Sequence, residues 1–367
     1  MTEIKNTFPK PFSSMLENYN LSKKNMPAGQ KSRHWDIFPD DYEESIRQIN
    51  AWKTFLRNPL SLGFNDSLIN FDNARFNEKT KKYNNIDPWE RRKKHDYANL
   101  IDEIISDPKE QENIIKVLNS ISSVCGPDFL INNIETQIGS PQKHLVKYES
   151  DSLYCNRHDL SNIYYFWQIS RAADKLIETD TPIIAEIGGG YGGVVSKTKK
   201  RYPKARFIIF DLPESLAVQT YYIFNTFPDS KILYLHDILE RGSMIFYEDF
   251  DFILLPGWMI DHVPDKFIDL VINMRSMMEM PLNIIDFYFT HIQRTVKING
   301  LFACFNRYHK PPDVALKNYP FDEFWTPVIS QTSIIQNHIH DLILRRQEKE
   351  SDFHVRDILK SLPPFIT

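Results

Sequence analysis

The stretch Pro182-Ile-Ile-Ala-Glu-Ile-Gly-Gly-Gly-Tyr-Gly-Gly193 constrains this chain more than any other. An apolar run broken only by Glu186 leads into glycines at 188, 189, 190, 192 and 193. Such a run reads as a buried strand, and the glycines read as a turn with almost no side chains. A ligand can approach that backbone closely and meet free N–H groups at the start of the following helix. The fold this pattern serves is an open parallel α/β sheet with its ligand at the carboxyl ends of the strands.

The spacing meets two nucleotide-binding patterns at once. Gly188, Gly190 and Gly193 fit G-x-G-x-x-G, the dinucleotide fingerprint. Glu186 with Gly188, Gly190 and Gly192 fits E-x-G-x-G-x-G, the S-adenosylmethionine loop of Rossmann-like methyltransferases. A second apolar strand, Ala205 to Phe210, ends in Asp211-Leu212, about twenty residues past the glycines, where an acid can bind both hydroxyls of a ribose. That acid serves either ligand. Glu186 separates them, because a carboxylate there repels a pyrophosphate and attracts the ammonium of a methionine moiety. The expected cofactor is therefore S-adenosylmethionine, held by Glu186, Gly188, Gly189, Gly190, Tyr191, Gly192, Asp211 and Leu212.

Length and charge agree with a soluble enzyme. The 367 residues allow one large domain plus a substantial second region, and the net charge of -4 excludes a polycationic nucleic-acid surface. The most apolar run, Phe252 to Ile260, is too short to span a bilayer. The first residues lack a charged-then-apolar export signal. Cys125, Cys155 and Cys304 are scattered and odd in number, which suits reduced core thiols in a cytoplasmic protein.

The chain is expected to divide into a mainly helical N-terminal region (1–155), a methyltransferase domain (156–345) and a charged, helical tail (346–367). The first carries aromatics at Trp35, Phe38, Tyr42, Trp52 and Phe55, and a charged stretch from Lys79 to Lys94 that reads as a solvated face. Leu100, Ile104, Ile105, Ile114, Ile115, Leu118 and Ile121 then recur at helical spacing, with a break at Asp107-Pro108. Asp159 to Ile177 reads as an amphipathic helix. Beyond Thr181 strands and helices alternate, which predicts a Rossmann-like doubly wound sheet. Its expected strands are Ile183–Ile187, Phe207–Phe210, Lys231–His236 and Leu301–Asn306, with Phe252–Leu255 and Leu270–Asn273 competing for the central fourth position. A helix from Asn283 to Val296 precedes the fifth strand. Alternation around Trp325–Ser330 and Ile339–Leu344 predicts a closing antiparallel pair.

The chain resembles the S-adenosylmethionine-dependent sugar O-methyltransferases, most clearly over 155–310. The marks are Arg157-His-Asp-Leu-Ser-Asn-Ile-Tyr-Tyr-Phe-Trp-Gln168, the glycine loop, Asp211-Leu-Pro-Glu214, Ile272-Asn-Met-Arg-Ser-Met-Met-Glu-Met280 and Phe305-Asn-Arg307. The Asn-x-Arg-Ser-Met-x-Glu-Met segment with Asn-Arg after the next strand is the most particular. The resemblance implies methyl transfer to a hydroxyl of a sugar in surface-polysaccharide or glycoconjugate biosynthesis.

The candidate substrate residues are Arg157, His158, Arg275, Ser276, Asn306 and Arg307, most of them at strand ends on the expected rim. Trp258 and Tyr308 offer flat faces to a sugar. A sugar hydroxyl is a poor nucleophile at neutral pH, so a base is expected: His262, with Asp261 to orient it, or Glu279. His158 and His309 are weaker choices. Asp251, Asp261 and Glu279 are the carboxylates that a divalent metal would use, but their spacing is not diagnostic and no metal site is expected. Blander roles compete: Met277, Met278 and Met280 as packing, His338 and His340 as strand residues, Arg307 as an ion-pair partner, Tyr164, Tyr165 and Trp167 as helix anchors. A nicotinamide-dependent oxidoreductase or epimerase would need a Tyr-x-x-x-Lys pair, and none is suitably placed. A silent binding protein with the cofactor fold is the third reading. The N-terminal region would serve as a lid, a substrate surface or a homo-oligomer interface.

Overall fold

The computed structural model describes residues 10–27, 42–57, 60, 99, 103, 106–134, 138–141, 143–149, 151–311, 314–352 and 354–362. Trp35, Phe38, Lys79–Lys94, Leu100, Ile104 and Ile105 lie outside the described residues. The backbone groups into two units. One gathers the described residues from Tyr42 to Tyr164; the other gathers the first helix with everything from Tyr165 onward. The N-terminal region thus contributes to both.

In the unit ending at Tyr164, α2 (Tyr42–Ile46) and α3 (Ile49–Trp52) are pinned by Trp52 Nε1, which donates to the Ile46 carbonyl at 2.9 Å. Asp107 caps α4 (Pro108–Cys125) by accepting from Lys109 N at 2.9 Å, with Pro108 at the first helical position. The stripe Ile114, Leu118 and Ile121 is buried. Gly126, at φ 84, turns the chain into α5 (Pro127–Asn132). A hairpin follows, β1 (His144–Tyr148) antiparallel to β2 (Asp151–Cys155). Asn156 Oδ1 accepts from Asp159 N at 2.8 Å and so caps α6 (Arg157–Leu176). The first turn was expected to begin near Asp159 itself.

Arg157 has a structural task here. Its Nε donates to Glu110 Oε1 at 2.9 Å, and Glu110 is buried. Removing the cation leaves a buried carboxylate with only a long bond from Asn113 Nδ2, at 3.4 Å, so Arg157→Ala is expected to lower unfolding stability by about 3 kcal/mol. Urea denaturation of the full chain checks this; an unchanged midpoint would return Arg157 to the pool of ligand-binding residues.

The second unit is built on an eight-stranded sheet ordered β11-β12-β8-β7-β3-β4-β6-β5. Its strands are β3 (Ile183–Ile187), β4 (Arg206–Asp211), β5 (Ile232–Tyr234), β6 (Phe252–Pro256), β7 (Ile268–Met274), β8 (Val296–Arg307), β11 (Trp325–Thr332) and β12 (Ile339–Arg346). The two-residue strands β9 (His309–Lys310) and β10 (Val314–Ala315) pair separately. From β5 across to β8 every pairing is parallel, while β12 runs antiparallel to β8 and β11 to β12. This is the class I Rossmann-like methyltransferase sheet, with the expected antiparallel closing pair. Strands β3 and β6 are buried along their whole length, as parallel strands covered on both faces must be.

The central fourth position goes to β7, beside β3. Strand β6 lies on the far side of β4, and β5 forms the edge. The chain therefore runs outward from β3 in one direction, then returns and crosses to β7. That reversal is the topological switch point, where such sheets bind ligands.

Helices α7 (Gly193–Arg201), α8 (Pro213–Thr226), α9 (Leu235–Arg241), α10 (Leu282–Thr295) and α11 (Val355–Ser361) complete the unit. Helix α1 (Lys10–Asn25) joins them from the other end of the sequence. Lys23 Nζ meets the buried Glu214 at 3.1 Å, and Asn18 Oδ1 accepts from Leu235 N at 3.1 Å. All three thiols are free, and burial pushes that of Cys304 up to about 12.

Candidate cofactor and acceptor site

At the end of β3 the chain enters the glycine loop. Gly188, Gly190 and Gly192 have φ of 71, 62 and 98, the left-handed region that glycine occupies without strain. Gly188 N donates to the Phe210 carbonyl at 2.8 Å, tying the loop to the neighbouring strand. A Cβ at Gly188 would stand 2.2 Å from Ser276 Oγ, and one at Gly189 would stand 2.5 Å from Glu186 Oε2. A side chain at Gly188 would meet Ser276 and be strained by its positive φ, and one at Gly189 would push the Glu186 carboxylate aside. Tyr191 packs edge-on against Tyr222, with ring centroids 4.9 Å apart.

Glu186 is the anomaly of this region. It is 1% exposed, and neither carboxylate oxygen meets a hydrogen-bond donor among the described residues. Burial first, and the nearby Asp211 second, push its pKa up to about 8. A buried carboxylate without donors is costly, and native proteins keep one where a ligand completes it.

Asp211 ends β4, the neighbouring strand. Its Oδ1 accepts from Leu212 N at 2.7 Å and its Oδ2 from Gln219 Nε2 at 2.7 Å. Burial raises its pKa to about 7; bonds from Leu212, Gln219, Ser215 and Gly190 pull the other way. Leu212 is the N-cap residue of α8, so Asp211 stands just before the helix and faces the loop. Gln219 was not anticipated. It holds Asp211, lies within 3.3 Å of the position of a Gly189 Cβ, and leaves its own Oε1 without a partner. A glutamine inside the apolar run Leu216-Ala-Val-Gln-Thr-Tyr-Tyr-Ile223 was the available signal.

Next to β3, the end of β7 carries a polar network. Asn273 Nδ2 donates to the Ile187 carbonyl at 2.9 Å and to Ser276 Oγ at 2.6 Å; Ser276 Oγ donates to the same carbonyl at 2.9 Å. Asn306 Nδ2 donates to Asn273 Oδ1 at 2.8 Å, while Asn306 Oδ1 accepts from Met278 N at 3.1 Å. Ser276 and Asn306 therefore brace the loop and the turn after β7. Asn273, the first residue of the Asn-x-Arg-Ser-Met-x-Glu-Met segment, was given no role from the sequence and is the centre of this network. Arg275 follows in left-handed backbone, φ 62, with its N–H on the Phe305 carbonyl at 2.7 Å. Glu279 ends the turn, with Oε1 3.4 Å from Lys310 Nζ. Met277 and Met278 are buried as packing.

His262 closes the short 3-10 segment Gly257–His262 after β6. Its Nδ1 contacts Asp261 Oδ1, and the two side chains are 42% and 47% exposed. Arg294 holds this corner by donating to the Asp261 and Val263 carbonyls, each at 2.6 Å. Two strand positions separate β6 from β3, whereas β7, which carries Glu279, is hydrogen-bonded to β3. Tyr308 is buried, with its hydroxyl on Thr332 Oγ1 at 2.8 Å and His340 Nδ1 at 2.9 Å, and so offers no open face. Tyr165 stacks on Phe305 at 5.0 Å, anchoring α6. His158 lies in the first turn of α6, in the unit that ends at Tyr164. Asp251 sits at the opposite end of β6, paired with Lys199 at 2.7 Å. Among the described residues no group of three or more His, Cys, Asp or Glu side chains is arranged to hold a metal, and no helix is long and apolar enough to cross a membrane.

The sheet, the loop and its two carboxylates define a methyltransferase domain of the S-adenosylmethionine-dependent class. The model of the O-methyltransferase domain family matches residues 170–240, which contain the glycine loop, Asp211 and α8. Among solved structures the chain is similar to geranyl diphosphate methyltransferase in complex with S-adenosylmethionine, at 12% identity over 52% of this chain and 88% of that one, TM-score 0.35. It is also similar to an S-adenosylmethionine-dependent methyltransferase from Aquifex aeolicus, at 10% identity over 48% and 88%, TM-score 0.30. No curated protein matches the sequence. S-adenosylmethionine is the cofactor of this domain: the unpartnered Glu186 suits its ammonium, Asp211 its ribose, and the bare glycine backbone its close approach.

Proposed function

We propose that this protein transfers a methyl group to a hydroxyl oxygen of a sugar, free or carried on a glycoconjugate. The observation that carries the reading is the rim of β3, β7 and β8, where a loop for the cofactor adjoins a carboxylate, Glu279, and two guanidiniums, Arg275 and Arg307. Sugar acceptors present many hydroxyls, and charged and amide side chains suit them. The resemblance of the Ile272–Met280 and Phe305–Arg307 segments to sugar O-methyltransferases supports the same acceptor class.

When bound, the cofactor supplies an electrophilic methyl group. The protein's own part is to place one acceptor oxygen in line with that methyl and to accept its proton. Glu279 is our choice of base, because it ends the turn that follows β7, the strand hydrogen-bonded to β3 and its glycine loop. His262, oriented by Asp261, is the second candidate, at the end of a strand beyond β4. Residues 1–155 would form a lid, a substrate surface or an assembly surface, residues 156–345 the transferase domain, and 346–367 its tail.

Titration calorimetry with S-adenosylhomocysteine and with NAD checks the cofactor. The expected result is a 1:1 complex with S-adenosylhomocysteine and no heat with NAD. Binding of NAD alone would overturn the methyltransferase reading.

A further inference from the structure

Among the described residues, two cations on this rim have no side-chain partner. Arg275 follows β7 and Arg307 ends β8; the strands are neighbours in register, Met274 opposite Phe305. The Arg275 amide reaches the Phe305 carbonyl, so by register Arg275 falls beside Asn306, with Arg307 next along β8 and close enough to feel the Arg275 charge. The Nε atoms of both are buried without a hydrogen-bond partner, and among the described residues neither guanidinium has an ion pair or side-chain hydrogen bond. The nearby carboxylate, Glu279, is already paired with Lys310. Three cations thus face one anion. For Arg307 the loss of water and the Arg275 charge favour the neutral form.

Desolvating two like charges side by side destabilises the fold unless an anion completes them. A planar guanidinium presents its donors as a fork that matches the oxygens of a phosphoryl group, and two forks can grip one group from two sides. A phosphoryl group carries a charge of about -1.5 to -2 at pH 7, close to the excess of two positive charges here.

We infer that Arg275 and Arg307 form a clamp for a phosphoryl group carried by the acceptor. The acceptor class is then a phosphorylated or nucleotide-diphosphate-linked sugar rather than a neutral glycan. This deepens the proposed function and rests on it for the identity of the acceptor, but the clamp can be tested without turnover.

The test uses the full chain with inorganic phosphate and with pyrophosphate as probes, read by thermal unfolding and calorimetry at constant ionic strength. Wild type is expected to bind phosphate and rise in Tm by a few degrees. Arg275→Gln and Arg307→Gln should each weaken phosphate binding by about thirtyfold or more, the loss typical of a buried charged contact. Both variants should unfold at or above the wild-type temperature without ligand, since an uncompensated cation has been removed, and both should keep wild-type affinity for S-adenosylhomocysteine. Pyrophosphate binding more tightly than phosphate points to a diphosphate-linked acceptor; equal affinities point to a monophosphate. The clamp is overturned if phosphate fails to bind, if it binds equally to both variants, or if acetate binds as tightly as phosphate. Loss of S-adenosylhomocysteine binding by wild type would instead sink the methyltransferase reading and leave the phosphate result standing.

Discussion

Glu186→Gln should weaken S-adenosylhomocysteine binding on the order of a hundredfold at pH 8, as expected when a buried ionic contact loses its charge. The argument begins with the free protein. Burial holds the Glu186 pKa at about 8, so at pH 6 the carboxyl is almost wholly protonated. A ligand cation requires the ionised form. Binding at pH 6 must therefore expel a proton, at about 1.36 kcal/mol per pH unit below the pKa. Wild-type affinity should rise about tenfold per unit between pH 6 and 8 if Glu186 alone titrates. Asp211, near 7, adds to the slope in the lower half of that range. Above pH 8 the ligand's own ammonium deprotonates, its ordinary pKa being about 7.7–8.0, so the profile turns over. The glutamine variant should retain only the shallower Asp211 slope.

Stability moves in the opposite direction. The folded pKa of Glu186 lies above the unfolded value of 4.5, so the folded state binds the extra proton. Its contribution is then fully present below pH 4.5 and is lost as pH rises toward 8. At pH 8 Glu186→Gln should unfold at a higher temperature than wild type while binding far more weakly. That combination excludes misfolding as the cause of lost affinity. A variant that binds as well as wild type at pH 8 would remove Glu186 from the cofactor site.

The glycine loop and the two acids were legible because their physical demands are local. A backbone that must come close to a ligand admits only glycine, and an acid at a strand end needs only the strand to be recognised. The order of the sheet was harder. Phe252–Pro256 is a continuous apolar run and Ile268–Met274 is one interrupted by Asp269 and Asn273, and neither pattern says which will lie against β3. Packing of the intervening segments decides it. Arg157 shows the same limit for side chains: its partner Glu110 lies 47 residues away, on a separate helix. Ser276 follows β7 and Asn306 lies near the end of β8, and their side chains are engaged with Ile187, Asn273 and Met278. Residue type and strand end do not reveal such partners. Gln219 escaped notice as a single polar residue in an apolar helix, and Asn273, though part of the Asn-x-Arg-Ser segment, had no role until the fold showed what it holds. Helix α1 reaches the second unit from the far end of the chain, a contact between segments about as distant in sequence as any here.

Glu279→Gln is expected to reduce kcat by about 10²–10⁴-fold, the usual contribution of a positioned base. The measurement follows S-adenosylhomocysteine formation with phosphorylated and nucleotide-linked sugars as acceptors. Glutamine keeps the size and one hydrogen-bonding oxygen of the side chain but cannot take a proton at neutral pH. Cofactor affinity should stay at the wild-type value, because Glu279 follows β7 and pairs with Lys310, whereas Glu186 and Asp211 lie on β3 and β4. Two effects must be kept apart. Glu279 also pairs with Lys310 and lies near Arg307, so its loss leaves three cations without a carboxylate and should tighten an anionic acceptor, lowering KM. A fall in kcat with a lower KM therefore supports proton transfer by Glu279, whereas a rise in KM alone would assign it to acceptor binding. His262→Ala supplies the contrast. Its imidazole is exposed beside Asp261 at the end of β6, two strand positions from β3, so kcat should change little. Should His262→Ala abolish turnover while Glu279→Gln spares it, the base is the histidine, and the acceptor must lie across the ends of β4 and β6 instead of those of β7 and β8.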